Sequence, residues 1–178
     1  SPVGRPKGVL VYTINHSNTN EDVTAVTYGN LPLTAVSGGS AVDTVGEPGR
    51  TTAWFLGSNL PVGSTTVTVT RTNNTDVLYA VAVTVTAAVG TKVVGVTLQQ
   101  ENQAIAEASI DDGSPGTNSV RFAGAHYGGN AVPTVGANST AVQDIDYGAN
   151  QTASVVRETT AGQGARLVGF TDATGDDW

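Results

Sequence analysis

Residues 66–70 read Thr66-Val67-Thr68-Val69-Thr70, and this alternation decides the fold class. Successive side chains of a β-strand point to opposite faces, so the run has one apolar and one polar face, as a half-buried strand requires. The same pattern recurs between Val23 and Val85 in short runs broken by Gly, Pro and Asn. Valine and threonine supply 26 residues each of the 178. Branching at Cβ stiffens χ1 and favours a pleated surface over a helix. The expected class is all-β and antiparallel, with a jelly-roll-like β-sandwich as the architecture.

Working outward, strand signals return about every ten to twelve residues, the spacing of a sandwich or barrel. Strands are expected at Gly8–Ile14, Val23–Tyr28, Leu31–Val36, Thr51–Leu56, Ser64–Thr70 and Val77–Val85. Gly29-Asn30 suits a tight hairpin that needs positive φ. Residues 37–49, with four glycines and a proline, read as a long exposed loop. Val77–Val85 is apolar at both parities and is expected to be central, covered on both sides. Lys92–Leu98 is a weaker strand signal, and Gln99–Ala108 reads as a linking segment that enters a strand near Ala104. Further strands are expected at Ser119–His126, Thr140–Ile145, Thr152–Glu158 and Ala165–Phe170.

Length suits one domain with a core large enough to stand without staples. Residues 1–178 are read as one sandwich domain, and Ser1-Pro2-Val3-Gly4-Arg5-Pro6, which opens without methionine or a recognisable leader, reads as the middle of a longer protein. With 3 Phe, 2 Trp and no Met, the core must be mostly aliphatic. The absence of cysteine excludes disulfides, thiolate metal sites and a cysteine nucleophile. Net charge is −7, and the eight basic residues are scattered from Arg5 to Arg166. Nucleic-acid binding needs clustered cations to displace phosphate counterions, so no nucleic-acid partner is expected. No run of 18 apolar residues exists, so no membrane-spanning helix is expected either.

Six blocks carry a likeness to a known family. They are Arg5-Pro6-Lys7-Gly8-Val9-Leu10-Val11, Val26-Thr27-Tyr28-Gly29-Asn30-Leu31-Pro32-Leu33-Thr34, Gly46-Glu47-Pro48-Gly49, Trp54-Phe55-Leu56-Gly57, the stretch from Leu60 to Val69, and Ala80 to Ala87. In this order and spacing, the segment from Arg5 to Ala87 resembles a family of β-rich bacteriophage and prophage proteins. Beyond residue 100 the likeness is loose. The resemblance implies a jelly-roll-like sandwich in a virion structural protein. Members usually have one strand before the Arg-Pro segment and one after the position of Asp176-Asp177-Trp178, so the resemblance implies that residues 1–178 are a slice of a longer protein and lack its terminal strands. The family's biochemical role is poorly defined, so the resemblance carries over no functional residue.

The residues themselves assign no catalytic, cofactor-binding or metal-binding site. His16 lies in a polar loop sequence and His126 ends a strand; a triad would need a nucleophile and an orienting carboxylate in contact with one of them. No Gly-x-Ser-x-Gly elbow and no phosphate-cradling Gly-Lys-Ser/Thr loop occur. Acidic residues gather at Asp111-Asp112, Asp144 and Asp146, and Asp172, Asp176 and Asp177. Asp144-Ile145-Asp146 sets two carboxylates on one strand face, where they could share a calcium ion, but no Asp-x-Asp-x-Asp-Gly loop accompanies them and solvated charge is the default reading. Ten aromatic residues undersupply a long sugar-binding groove. Trp54 and Phe55 face opposite ways, one into the core and the other under a loop or at a subunit contact. Asn-x-Ser/Thr matches at Asn15, Asn73, Asn138 and Asn150 are what a chain rich in Asn and Thr produces by chance.

The expected function is a non-enzymatic structural component of a bacteriophage particle, a capsid decoration or a head or tail appendage. Its expected partners are other virion subunits, including copies of itself. The second reading is a carbohydrate- or host-receptor-binding module that presents residues 37–49 and 127–139 to a host-surface glycan.

Overall fold

The structure is a computed structural model. It describes residues 6–16, 23–43, 48–57, 60–61, 63–73, 77–86, 107–110, 120–128, 133–146, 152–159 and 168–171. Among these residues there is no helix; all-β, antiparallel pairing is the whole architecture.

Four open sheets form. β1 (Pro6–His16), β4 (Thr34–Asp43), β5 (Gly49–Leu56) and β7 (Leu78–Thr86) pair in the order β4-β5-β1-β7. β2 (Val23–Tyr28), β3 (Leu31–Pro32) and β6 (Val67–Arg71) pair as β3-β2-β6. Residues 107–171 build the other two sheets. β9 (Phe122–Tyr127), β11 (Ser139–Asp146) and β12 (Thr152–Glu158) pair as β11-β12-β9. β8 (Glu107–Ile110), β10 (Thr134–Val135) and β13 (Val168–Thr171) pair as β10-β13-β8.

Three apolar clusters tie these sheets together. Val9, Val11 and Trp54 on one face of the four-stranded sheet pack with Val26, Leu33, Val67 and Val69. Tyr12, Ile14, Ala53 and Val81 on its opposite face pack with Ala153 and Val155 of β12. The far side of the β9–β12 sheet packs Ala123, Tyr127 and Val156 against Val168 and Phe170. β1 is therefore covered on both faces, as is β12: odd residues Val9 and Val11 turn one way, even residues Tyr12 and Ile14 the other, and Val9, Val11 and Ile14 are all 0% exposed. Its sequence, apolar at both parities from Val9 to Tyr12, is what such a position requires.

The expectation that Val77–Val85 would be central is corrected. β7 edges its sheet, next to β1 alone. Val81 is buried, but Ala80 and Ala82 are exposed. The cluster that covers this face of the sheet takes side chains from β1, β5, β2 and β6 and none from β7. Alanine is apolar yet small enough to face water, so parity alone misreads its surroundings.

The loop expected over 37–49 is also corrected where it is described; residues 44–47 lie outside the described residues. β4 runs on to Asp43, and Ser40, Ala41 and Val42 pair with Thr52, Thr51 and Arg50. Pairing is interrupted between Ala35 and Ser40, so the glycine-rich stretch is a bulge inside a strand. β3 and β4 are separated only by Leu33, whose N–H donates to Val26 O at 2.9 Å. One extended stretch thus leaves the β3-β2-β6 sheet and joins the four-stranded sheet. The Gly29-Asn30 hairpin forms as expected; Gly29 alone takes positive φ, 62°, which fits a type II′ turn. β2 and β12 match their expected limits, most other expected strands shift by a few residues, Leu31–Val36 divides into β3 and a longer β4, and β10 lies in a stretch that was expected to be a loop. Lys92–Leu98 and the linking segment up to residue 106 lie outside the described residues.

Candidate functional site

The two histidines, 110 residues apart in the chain, meet where the β1 sheet faces the β9–β12 sheet. His16 closes β1, and β5 brings Gly49 opposite it. His126 lies on β9, in register with Ala153, which turns its ring toward β1. His16 Nδ1 and His126 Nε2 are 3.0 Å apart, and the ring centroids are 5.2 Å apart with a tilt of 35°.

Glycine makes this approach possible. A Cβ on Gly49 would stand 2.3 Å from His126 Cγ, closer than any real contact, so the ring occupies the space a side chain would take. A mirror of this contact lies nearby. A Cβ on Gly124 of β9 would stand 2.6 Å from Cδ1 of Tyr12. Each of the two facing sheets therefore sets one ring onto a glycine of the other: Tyr12 on Gly124, His126 on Gly49. Burial at this junction holds the Tyr12 hydroxyl well above the ordinary phenol range.

The electrostatics of His126 follow from its position. It is 5% exposed, and its pKa is pushed down from 6.5 to about 3, first by burial and then by the nearby charge of His16. Its Nδ1 is buried with no hydrogen-bond partner. The cheaper tautomer keeps the proton on Nε2, donating to His16 Nδ1, and leaves a bare acceptor at Nδ1 rather than a stranded N–H donor. A second proton would have to go onto Nδ1, where no acceptor receives it. Thr51 Oγ1, two residues beyond Gly49 on the same face, is likewise buried without a partner.

Among the described residues the hydrogen bonds of His126 include neither a hydroxyl nor a carboxylate. Among the described residues no group bonds its Nδ1 to orient it as a general base, and its one bonded nitrogen is spent on another imidazole. Among the described residues no group of three or more His, Asp or Glu side chains could hold a metal ion.

A second buried polar feature joins the start of β9 to the end of β12. Arg121 Nη1 lies 2.8 Å from Glu158 Oε1, and the two side chains are 7% and 0% exposed. Arg121 N–H donates to Glu158 Oε2 at 3.4 Å, and Glu158 N–H donates to Arg121 O at 2.9 Å. In the sequence Arg121 is one of eight scattered basic residues. No local signal shows that it meets an acid 37 residues on.

Of the other residues singled out in the sequence, Trp54 is the core anchor. Its Nε1–H donates to Thr13 Oγ1 at 2.9 Å in a buried contact. Phe55 points to the opposite face and is half-buried. Asn15, one of the sequon positions, is 4% exposed inside β1. Asp144 and Asp146 both lie on β11. Asp111, Asp112, Asp172, Asp176, Asp177 and Asn150 lie outside the described residues.

The chain matches no protein-family model, and comparisons with curated proteins and with solved structures find no match.

Proposed function

We propose that the chain is a non-enzymatic structural component of a bacteriophage particle, a capsid decoration or a domain of a head or tail appendage, whose sheets pack as jelly-roll-like β-sandwiches. The observation that carries this reading is how the reactive groups are used. Both histidines of the chain are bonded to each other between two sheets, and the Arg121–Glu158 pair is buried in a strand junction. These groups hold sheets together, as a scaffold needs and a catalytic cleft does not. The leaving of one sheet for another at Leu33 supports the sandwich arrangement, since such corners link the layers of sandwiches.

The surface supports the same reading. A charge of −7 keeps the outer face soluble. Among the described residues β4 and β7 have no strand on their outer sides, and such edges can dock neighbouring subunits by backbone pairing. We accordingly propose homo-oligomeric or capsid-bound assembly.

The test is quantitative mass spectrometry of purified particles of the phage that encodes the chain, with immunogold labelling to place it. The expected result is a fixed copy number per particle at one structural location. Absence from particles, together with saturable binding on a glycan array, would replace this reading with the receptor-binding module.

A further inference from the structure

We propose that the face of the β11–β12 pair turned away from β1 binds a calcium ion through Asp144, Asp146, Thr152 and Ser154. Asp144 pairs with Ser154 and Asp146 pairs with Thr152 in one uninterrupted stretch of antiparallel register. Directly opposed residues share a face, so two carboxylates and two hydroxyls occupy adjacent corners of one patch. That face is fixed by its neighbours. Ala153 and Val155 point to β1, whereas Val156, of the same parity as Thr152 and Ser154, packs with Val168 and Phe170.

The acidic pair alone would be solvated charge. Two further side chains point to a ligand. Ser154 is 0% exposed and Thr152 is 1% exposed. Ser154 Oγ, Thr152 Oγ1 and Asp144 Oδ1 are each buried with no hydrogen-bond partner. Buried polar atoms are almost always satisfied, and three such oxygens around one patch call for a common partner.

The donor set selects that partner. All the donors are oxygen, which suits a hard cation and not a thiolate- or imidazole-seeking metal. Opposed Cβ atoms lie about 5 Å apart, within reach of oxygens closing to about 2.4 Å around one ion. Calcium accepts an irregular shell completed by water, whereas magnesium demands a near-ideal octahedron. A divalent cation, unlike a lone water, would also offset the repulsion between two neighbouring carboxylates while it satisfies the three buried oxygens.

Terbium, a luminescent calcium substitute, tests the site directly. Tyr127 lies opposite Thr152 on β9 and would sensitise it. The expected result is saturable tyrosine-sensitised emission that calcium displaces, with affinity weakened by about tenfold or more in Asp144→Asn, the order of loss usual when a metal site is disturbed. The melting temperature of the wild-type chain should also be higher in calcium than in EDTA, and this difference should shrink in Ser154→Ala and vanish in Asp144→Asn. If Asp144→Asn fails to fold, the wild-type calcium dependence and the Ser154→Ala titration decide. Equal melting with and without calcium, equal affinity in the folded variants, or a crystal grown in calcium with only a water at Ser154 Oγ would overturn the proposal.

Discussion

A methyl group added at Gly49 would stand 2.3 Å from His126 Cγ and 2.4 Å from its Nδ1, with a rigid ring as the obstacle and a β-ladder behind it. Gly49→Ala is expected to destabilise the chain by about 1–3 kcal/mol, the usual cost of overpacking a tight site, as measured by urea unfolding. His126 also gives stability a pH dependence. In the native chain it binds its proton only near pH 3, whereas the unfolded chain binds it near 6.5. Between these values the unfolded state holds more protons, so stability rises with pH and is lost as pH falls below 6.5. Unfolding between pH 7 and 5 should lose at most about 1.4 kcal/mol per pH unit from this group, and His126→Asn should flatten that slope. Thr13→Val strands the buried Trp54 N–H and should cost about 1–3 kcal/mol by the same urea assay. None of these contacts is legible locally. His16 and His126 are separated by 110 residues, and no motif links them. The one available signal was Gly124 inside Phe122–Tyr127, since a glycine within a strand marks a close approach.

At the scale of the element, the period of two located the strands well. Val23–Tyr28 and Thr152–Glu158 were legible to the residue, because turn residues bound them closely. What periodicity does not report is what lies over each face. β1 and β7 are both apolar at alternate and intervening positions, yet only β1 is covered twice, because β7 offers alanine where β1 offers valine. The bulged β4 was misread for a related reason: its pairing partners on β5 tolerate an interruption that glycine-rich sequence also shows in loops. Arg121 and Glu158 form a buried ion pair at the end of the β9–β12 ladder. Removing either charge alone, by Arg121→Met or Glu158→Leu, should cost about 3–5 kcal/mol, whereas the double substitution should cost far less. Chemical denaturation of the three variants checks this. Equal losses that simply add would mean that the two side chains act separately.

At the scale of the whole molecule, residues 6–86 and 107–171 each close their own pair of sheets, and the two halves share the face between β1 and β12. The pattern in the sequence indicated the class of sheet but not this division, because strand spacing carries no information on which half a strand pairs within. The junction combines aliphatic packing with two rings seated on two glycines, and it is where the histidines are used. A chain whose two halves share this face should open across it as one body. Native-state hydrogen exchange of the β1 and β12 amides tests this claim most directly. The account predicts matching exchange free energies in the two strands and a joint fall in both when Gly49 becomes alanine. Loss of protection in β12 and β9 alone, with β1 unchanged, would contradict it.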